Sequence, residues 1–297
     1  MKILITGSSG FVGTALVKAL LNKGHDVTGI SHTQDTLEHP SFTAIAADTS
    51  VAGDWQDTVP SADVIINLAG INIFSRWTRK YKELIYNSRI LTTRHLVEAL
   101  PWDASRVTFC STSAVGYYGD RGDDILDETA APGTDFLAKV CVDWEKAAFE
   151  AQEKGARVIA TRFGVVLGPG GGALAKMLPA YKMGLGGPLG NGRQWFPWIQ
   201  INDLVSAIIF VIENDTVSGP VNCCAPEAVR NKDFSDSLAK TVKRPAFFKV
   251  PGIMLKVAAG EMGELILNSQ RAHPARLLEH GFTFQYPDIR SALAASL

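Results

Sequence analysis

Lys2-Ile3-Leu4-Ile5-Thr6-Gly7-Ser8-Ser9-Gly10-Phe11-Val12-Gly13 is the stretch on which the fold turns. Ile3, Leu4 and Ile5 form an unbroken apolar run, which predicts a short strand covered on both faces, as in a parallel sheet. Three glycines follow at Gly-x-x-Gly-x-x-Gly spacing. Beyond them Phe11, Val12, Ala15, Leu16, Ala19 and Leu20 recur at i, i+3, i+4 intervals, which predicts a helix with one face on that sheet. Strand, glycine turn and helix in this order bring backbone N–H groups against a pyrophosphate at the positive helix end, while Gly13 allows close helix–sheet packing. Gly7, Ser9, Gly10, Phe11, Val12 and Gly13 are therefore candidate cofactor contacts. A tight turn without ligand would use the same spacing, and the surrounding βα units favour the cofactor reading.

Outward from this turn, apolar runs predict strands at Lys2–Thr6, Asp26–Ile30, Thr43–Ala46, Val64–Asn67, Arg106–Cys110 and Arg157–Phe163. Gly24 stops the first helix, and a longer one runs from about Thr78, a candidate cap, to Leu100, with Pro101 behind it. The alternation predicts an α/β protein, a Rossmann-type doubly wound parallel sheet. After Phe163 the texture changes, with glycine-rich loops at 168–172 and 184–192 around a short helix near 173–183. Asn202 or Asp203 caps a helix through Ile212, and Pro220–Cys223 returns to the sheet. Helices are expected near 231–242 and 274–280. The division implied is a dinucleotide-binding domain of residues 1–165 with 200–224, and a smaller C-terminal α/β substrate lobe of 166–199 and 225–297.

With 297 residues, 46% of them apolar and 20% charged, the chain can bury a sizeable core without disulfides or structural metal. Its 29 Lys+Arg against 30 Asp+Glu leave a net charge of −1, no field for holding nucleic acid or an anionic membrane. Cys110, Cys141, Cys223 and Cys224 form no CxxC pair and no metal-ligand spacing with the histidines, as expected in a reducing compartment. The start of the chain lacks the pattern of a secretory signal, and the run Leu204 to Ile212 is too short to span a bilayer. A cytoplasmic location is expected, with a small-molecule substrate and neither nucleic acid nor membrane as partner.

The end of the second strand separates the two nicotinamide cofactors: a carboxylate there accepts from the ribose hydroxyls of NAD, whereas a cation accommodates the 2′-phosphate. This chain has Ser31-His32-Thr33 and no acid. Hydroxyl and imidazole groups at Ser31 and His32 favour NADP(H), although the same residues would serve as a solvated loop.

The glycine motif, Asn67-Leu68-Ala69-Gly70, Ser111-Thr112-Ser113-Ala114-Val115-Gly116-Tyr117-Tyr118-Gly119-Asp120 and Arg162-Phe163-Gly164-Val165-Val166-Leu167-Gly168-Pro169 together resemble the extended short-chain dehydrogenase/reductases, the NAD(P)-dependent epimerase/dehydratase family. More closely, Gly70-Ile71-Asn72-Ile73, Ser88-Arg89, Gly184 to Pro188 and Phe196 to Ile199 resemble an atypical subgroup of that family sometimes labelled cell-division inhibitors. No residue here gives that label physical support. The resemblance covers essentially the whole chain. It implies cofactor contacts at Leu68, Ala69, Gly70, Ser111, Gly164 and Val165, and pairing of two copies through the long helix. Arg89, on that helix, faces either a phosphate or solvent.

One departure bears on the chemistry. The family's Tyr-x-x-x-Lys pair, in which an ammonium four residues away helps a phenolate form, is here Asp135-Phe136-Leu137-Ala138-Lys139. A carboxylate at the tyrosine's place does not donate a proton near neutral pH unless burial raises its pKa. Asp135 and Lys139 read equally as an i,i+4 ion pair, with Lys139 still able to reach a ribose. Ser113 takes the place resembling the family's catalytic Ser, and Tyr117 and Tyr118 are the nearby phenols. Arg76 and Arg193, near Trp77 and Trp195, are candidates for an anionic substrate. Trp195, Phe196 and Trp198 form either a wall over the cleft or packing between lobes. The implied activity is hydride exchange on a small oxygen-bearing substrate, by an oxidoreductase or epimerase. The alternative is an NADP(H)-binding regulatory or sensor protein that has lost its proton donor.

Overall fold

β1 (Lys2–Thr6) is an interior strand, paired in parallel with β2 (Asp26–Ser31) on one side and β4 (Val64–Asn67) on the other, which is why Ile3, Leu4 and Ile5 are all buried. The structure, a computed structural model, describes every residue except Gln34 and Phe247. α1 (Phe11–Asn22) crosses from β1 to β2 and ends before Gly24, whose φ of 79° only glycine adopts freely. β3 (Phe42–Ala46) continues the sheet past β2, and α2 (Arg79–Ala99) crosses from β4 to β5 (Thr108–Ala114). Thr78 caps α2 by accepting from the Tyr81 N–H at 3.1 Å. β6 (Ile125–Leu126) precedes α3 (Phe136–Phe149), which leads to β7 (Arg157–Phe163) beside β5.

β8 (Val165–Leu167), α4 (Gly172–Lys182), β9 (Trp195–Phe196), β10 (Trp198–Gln200) and α5 (Ile201–Glu213) follow, and β11 (Gly219–Cys223) joins the sheet outside β7. The seven parallel strands run in the order β11-β7-β5-β4-β1-β2-β3. Ile3 and Ile5 face α1 and α5, packing with Leu16, Leu20, Leu204 and Ile208, whereas Leu4 faces the other way with Ile65, Phe109, Leu96 and Ala148. Helices on both faces make this a doubly wound, Rossmann-like sheet.

The remainder comprises β12 (Val229–Arg230), α6 (Asn231–Thr241), α7 (Gly252–Ala259), α8 (Glu261–Leu265), β13 (Arg271–Ala272), α9 (Ala275–Glu279) and α10 (Ile289–Ala295). A separate apolar cluster joins Leu167, Leu174, Trp198, Phe234, Leu238 and Leu293. The last stretch does not keep to that cluster: Leu277, Phe282 and Phe284 pack with the α1/α5 face of the sheet. The capping expectation for α5 also changes. Gln200 caps it, through the Asn202 N–H, while the buried Asp203 carboxylate accepts the Gln285 and Tyr286 N–H groups at 2.7 and 2.9 Å. Burial raises its carboxyl above the ordinary range.

Asp288 caps α10, accepting the Arg290 and Ser291 N–H groups at 3.0 Å each, and these bonds, Ser291's first, hold its carboxyl below the usual value. Asp288→Ala is expected to cost about 1 kcal/mol. A depressed folded-state pKa places that contribution above the unfolded value of about 3.9, to be lost as pH falls through the folded one. Thermal melts of both proteins should show the full gap at neutral pH and a shrinking one below roughly pH 4. A gap unchanged in acid would contradict the cap.

Candidate functional site

The β1–α1 turn is built for close approach. Gly7 has φ 75°, and a Cβ added there would lie 3.0 Å from the backbone of Leu68, so the turn and the loop after β4 stack directly. A Cβ at Gly13 would lie 2.2 Å from the Gly7 carbonyl oxygen and 2.7 Å from that of Ser8. α1 begins at Gly10 with no side-chain cap and no acid in its first turn. Its leading N–H groups are therefore left for a ligand, and an anion suits them. These features fit a pyrophosphate. Phe11 turns its ring onto the 168–172 loop, where a Cβ at Gly171 would fall 2.1 Å from Cδ2 of the ring and Cβ atoms at Gly168 and Gly172 would each come within 3.0 Å of it, so packing against Phe11 accounts for these three glycines.

Around the turn the sequence candidates take different places. Leu68, Ala69 and Gly70 form the loop beside Gly7. Arg89 lies beneath it: its guanidinium donates to the Ile71 and Ile85 carbonyls at 3.0 Å each, and a Cβ at Gly70 would come within 3.0 Å of its Cζ. No carboxylate pairs with Arg89 among the described residues, and burial pulls its pKa down. Gly164 and Val165 spend their N–H groups on the Cys223 and Pro197 carbonyls, at 2.9 and 2.8 Å. Ser111, expected at the cofactor, is buried, and its hydroxyl accepts from Asn67 Nδ2 at 3.3 Å. Asn67 also accepts from Thr6 and donates to Thr93, tying β1, β4, β5 and α2 together beneath the sheet edge.

At the end of β2, Ser31 is 8% exposed and donates to the Thr33 carbonyl at 2.9 Å, so its hydroxyl shapes the turn, while His32 is exposed. Asp48, just past β3 at the same sheet edge, was not singled out from the sequence. Its carboxyl is held below the usual range, first by the Ser50 hydroxyl at 2.6 Å and, more weakly, by His32. An acid directly after the third strand was the available signal.

The groups expected to handle a proton divide sharply. Ser113 is 1% exposed and donates to Glu145 Oε1 at 2.7 Å; Glu145 in turn takes a two-pronged bond from Arg162, Nε to Oε1 and Nη2 to Oε2, both at 2.8 Å. Tyr118 is fully buried, donating to Asn222 Oδ1 at 2.7 Å and accepting from Arg162 Nη1 at 2.9 Å, and burial pushes its phenol well above the ordinary value. The hydroxyl hydrogens of Ser113 and Tyr118 are thus engaged by buried acceptors. Tyr117 is half-buried, with the Arg162 guanidinium 3.6 Å from its ring centre. Sequence reasoning missed Glu145 and Arg162, although a carboxylate six residues beyond Lys139 and an arginine inside an apolar strand were visible.

Asp135 forms no ion pair with Lys139. It caps α3, accepting the Ala138 N–H at 2.9 Å, and its other oxygen accepts from Asn268 at 3.2 Å. Lys139 is exposed. Beside Asp135 lies a cavity of about 420 Å³ lined by Arg121, Gly133, Asp135, Phe136, Glu261 and Asn268.

Of the substrate candidates, Arg76 and Arg193 are exposed. Trp195 is gripped between Arg230 and Arg271, whose Cζ atoms lie 4.1 and 4.7 Å from its ring, and donates to Asp123 at 2.8 Å. Phe196 stacks on Phe234 and Trp198 is buried, so these two pack the small cluster instead of walling a cleft. Burial pushes the Cys110 and Cys141 thiols up to about 12 and about 11, and among the described residues no group of His, Cys, Asp and Glu could hold a metal ion.

Fold and turn together define a Rossmann-like α/β protein with a dinucleotide-type β1–α1 cradle. Residues 3–224 match the NAD dependent epimerase/dehydratase family, and residues 250–296 match a domain of unknown function, DUF1731. The chain belongs to that epimerase/dehydratase family. It is 36% identical over 99% of its length, and 86% of the relative's, to the chloroplastic SDR39U1 homolog of Arabidopsis thaliana. It is 38% identical to the epimerase family protein YfhF of Bacillus subtilis, covering 99% of this chain and 97% of that one. Human epimerase family protein SDR39U1, solved with NADPH, superposes with a TM-score of 0.86 at 31% identity, over 99% of this chain and 98% of that one.

Proposed function

We propose that the protein binds NADP(H) and exchanges a hydride with a small oxygen-bearing substrate, as an oxidoreductase or epimerase. The observation that carries this reading is the cradle: an uncapped α1 N-terminus behind Gly7 and Gly13, where no side chain fits. The human relative's NADPH and the absence of an acid at Ser31-His32-Thr33 support the phosphorylated cofactor. When bound, the nicotinamide supplies or takes up the hydride. The chain's part is to bind and to manage a proton. The leading N–H groups of α1 hold the pyrophosphate, and Lys139 supplies a cation for the ribose. Tyr117, the one nearby phenol not fully buried, exchanges the substrate proton at its Oη, with Arg162 under its ring to stabilise the phenolate.

A second reading, an NADP(H) sensor without turnover, draws on Asp135, which spends its carboxylate on a helix cap where relatives of this family carry the phenol. A carbonyl-substrate screen with NADPH separates the two: turnover lost in Tyr117→Phe supports the enzyme, and none from any substrate supports the sensor.

The first test is fluorescence titration with NADPH and NADH. NADPH should bind more tightly, and His32→Asp should shift the preference towards NADH by about tenfold or more, because a carboxylate repels the 2′-phosphate and accepts from the ribose. Failure of both cofactors to bind would overturn the reading.

A further inference from the structure

From Lys240 to Lys256 the chain carries Lys240, Lys243, Arg244, Lys249 and Lys256 and no acid, a cationic segment concealed by the near-neutral total. A second segment runs alongside it. Arg244 Nε donates to the Lys182 carbonyl at 3.2 Å, Gly190 N–H donates to the Val250 carbonyl at 2.9 Å, and the Gly187 backbone abuts that of Phe248 so closely that a Cβ there would lie 2.0 Å from its oxygen. Large apolar side chains of these two segments and of α7, which follows them, are exposed: Met183 67%, Leu185 50%, Phe248 55%, Ile253 76%, Met254 61% and Val257 79%. Ile253 and Val257 are one turn apart on α7, with Met254 beside them, so they form a single stripe. Lys182 and Lys249 directly adjoin the exposed Met183 and Phe248, Arg244 is bonded to the Lys182 carbonyl with Lys243 beside it, and all four cations are exposed and make no salt bridge among the described residues.

We propose that this face docks on an anionic lipid surface, with α7 lying in the plane of the headgroups. An apolar helix stripe within a rim of cations is the pattern of an interfacial helix: the stripe enters the acyl boundary while lysine and arginine meet lipid phosphates. No helix of the described residues is long and apolar enough to cross a membrane, so the contact is peripheral. A second copy is the poorer occupant, because a two-fold contact sets each cationic rim against its own image. The inference departs from the expectation drawn from net charge and stands independently of the proposed activity.

The test is flotation of the full chain with phosphatidylcholine vesicles, with and without phosphatidylglycerol. Binding is expected only to the phosphatidylglycerol vesicles and should fall as NaCl is raised. Lys243→Glu with Arg244→Glu, and separately Val257→Asp, should each weaken it on the order of tenfold or more with the thermal melt unchanged. The double charge variant leaves α7 intact, so a folding defect in Val257→Asp does not cloud the result. Absence of binding at any phosphatidylglycerol content, or equal binding by the charge variant, overturns the proposal. So does a dimer in sedimentation that Val257→Asp dissociates, since the patch then belongs to a second copy.

Discussion

Glu145→Ala should destabilise the protein by about 3–5 kcal/mol, the cost of leaving a buried cation without its partner. Arg162 is 3% exposed and Glu145 6%, and the two-pronged bond between them is the only carboxylate contact Arg162 makes among the described residues. Burial alone would pull the guanidinium's pKa down; pairing with Glu145 raises it above its ordinary value instead. The loss spreads, because Arg162 also donates to Tyr118 and underlies Tyr117, and Ser113 loses its acceptor. A fall in melting temperature of roughly 5–10 °C is expected in calorimetry. The Arg162→Met variant and the double variant complete a cycle. If the double variant is no less stable than Glu145→Ala alone, the cost lies in the orphaned charge. If Glu145→Ala costs under about 1 kcal/mol, the buried pair has been misjudged. In the same cycle Ser113→Ala, which removes one bond to the carboxylate, should cost about 1 kcal/mol.

Gly13→Val should abolish NADPH binding and destabilise the fold by about 3 kcal/mol or more. The new Cβ would stand 2.2 Å from a backbone oxygen, and that oxygen is fixed: it accepts the Gly10 N–H at 3.0 Å, while the Gly7 N–H is held by the Ile30 carbonyl at 2.7 Å. α1 must therefore lift from β1, opening the interface that buries Leu16 and Leu20 and displacing the N–H groups that form the cradle. Gly70→Ala is the contrasting variant. Its Cβ meets the Arg89 side chain, Cζ at 3.0 Å and Cγ at 3.3 Å, and no backbone atom, so it should cost less stability than Gly13→Val. Titration with NADPH beside a thermal melt checks both, and wild-type affinity in Gly13→Val would remove the cradle from the binding site.

The sheet was legible because buried parallel strands are written as continuous apolar runs: β1, β4 and β7 fall where Ile3–Ile5, Val64–Ile66 and Val158–Ala160 predict them. β5 was placed too early. Its polar end, Ser111 to Ser113, resembles a loop until the partners that satisfy those hydroxyls are known, and Asn67 and Glu145 lie 44 and 32 residues away. The glycine turn between β1 and α1 was legible from local spacing. The orientations of the residues proposed to handle a proton were not, because a motif fixes which residues lie near a strand end but not which of them point inward. Ser113 and Tyr118 turn into the Arg162 network and Tyr117 stays half-buried beside it, each settled by long-range packing, while Asp135 takes the local N-cap of α3. Total charge likewise hid the one-signed segment at 240–256.

The outer margin of the sheet has a consequence for how the chain is made. β11 is an edge strand, and its exposed side is closed by side chains, not by another strand: the Glu128 carboxylate takes the N–H groups of Asn222 and Arg276, at 2.9 and 3.2 Å, and α9 lies against it. A ribosome extends the chain from the other end, so β11 emerges some fifty residues before α9 at 275–279 can cover it. During that interval only Glu128 closes the strand edge, beside a nearly finished sheet, and a partly covered edge is where strands recruit neighbours. Synthesis rate over residues 224–279, and chaperone supply while they are made, should therefore govern the yield of native protein more than codon choice over the strands before β11.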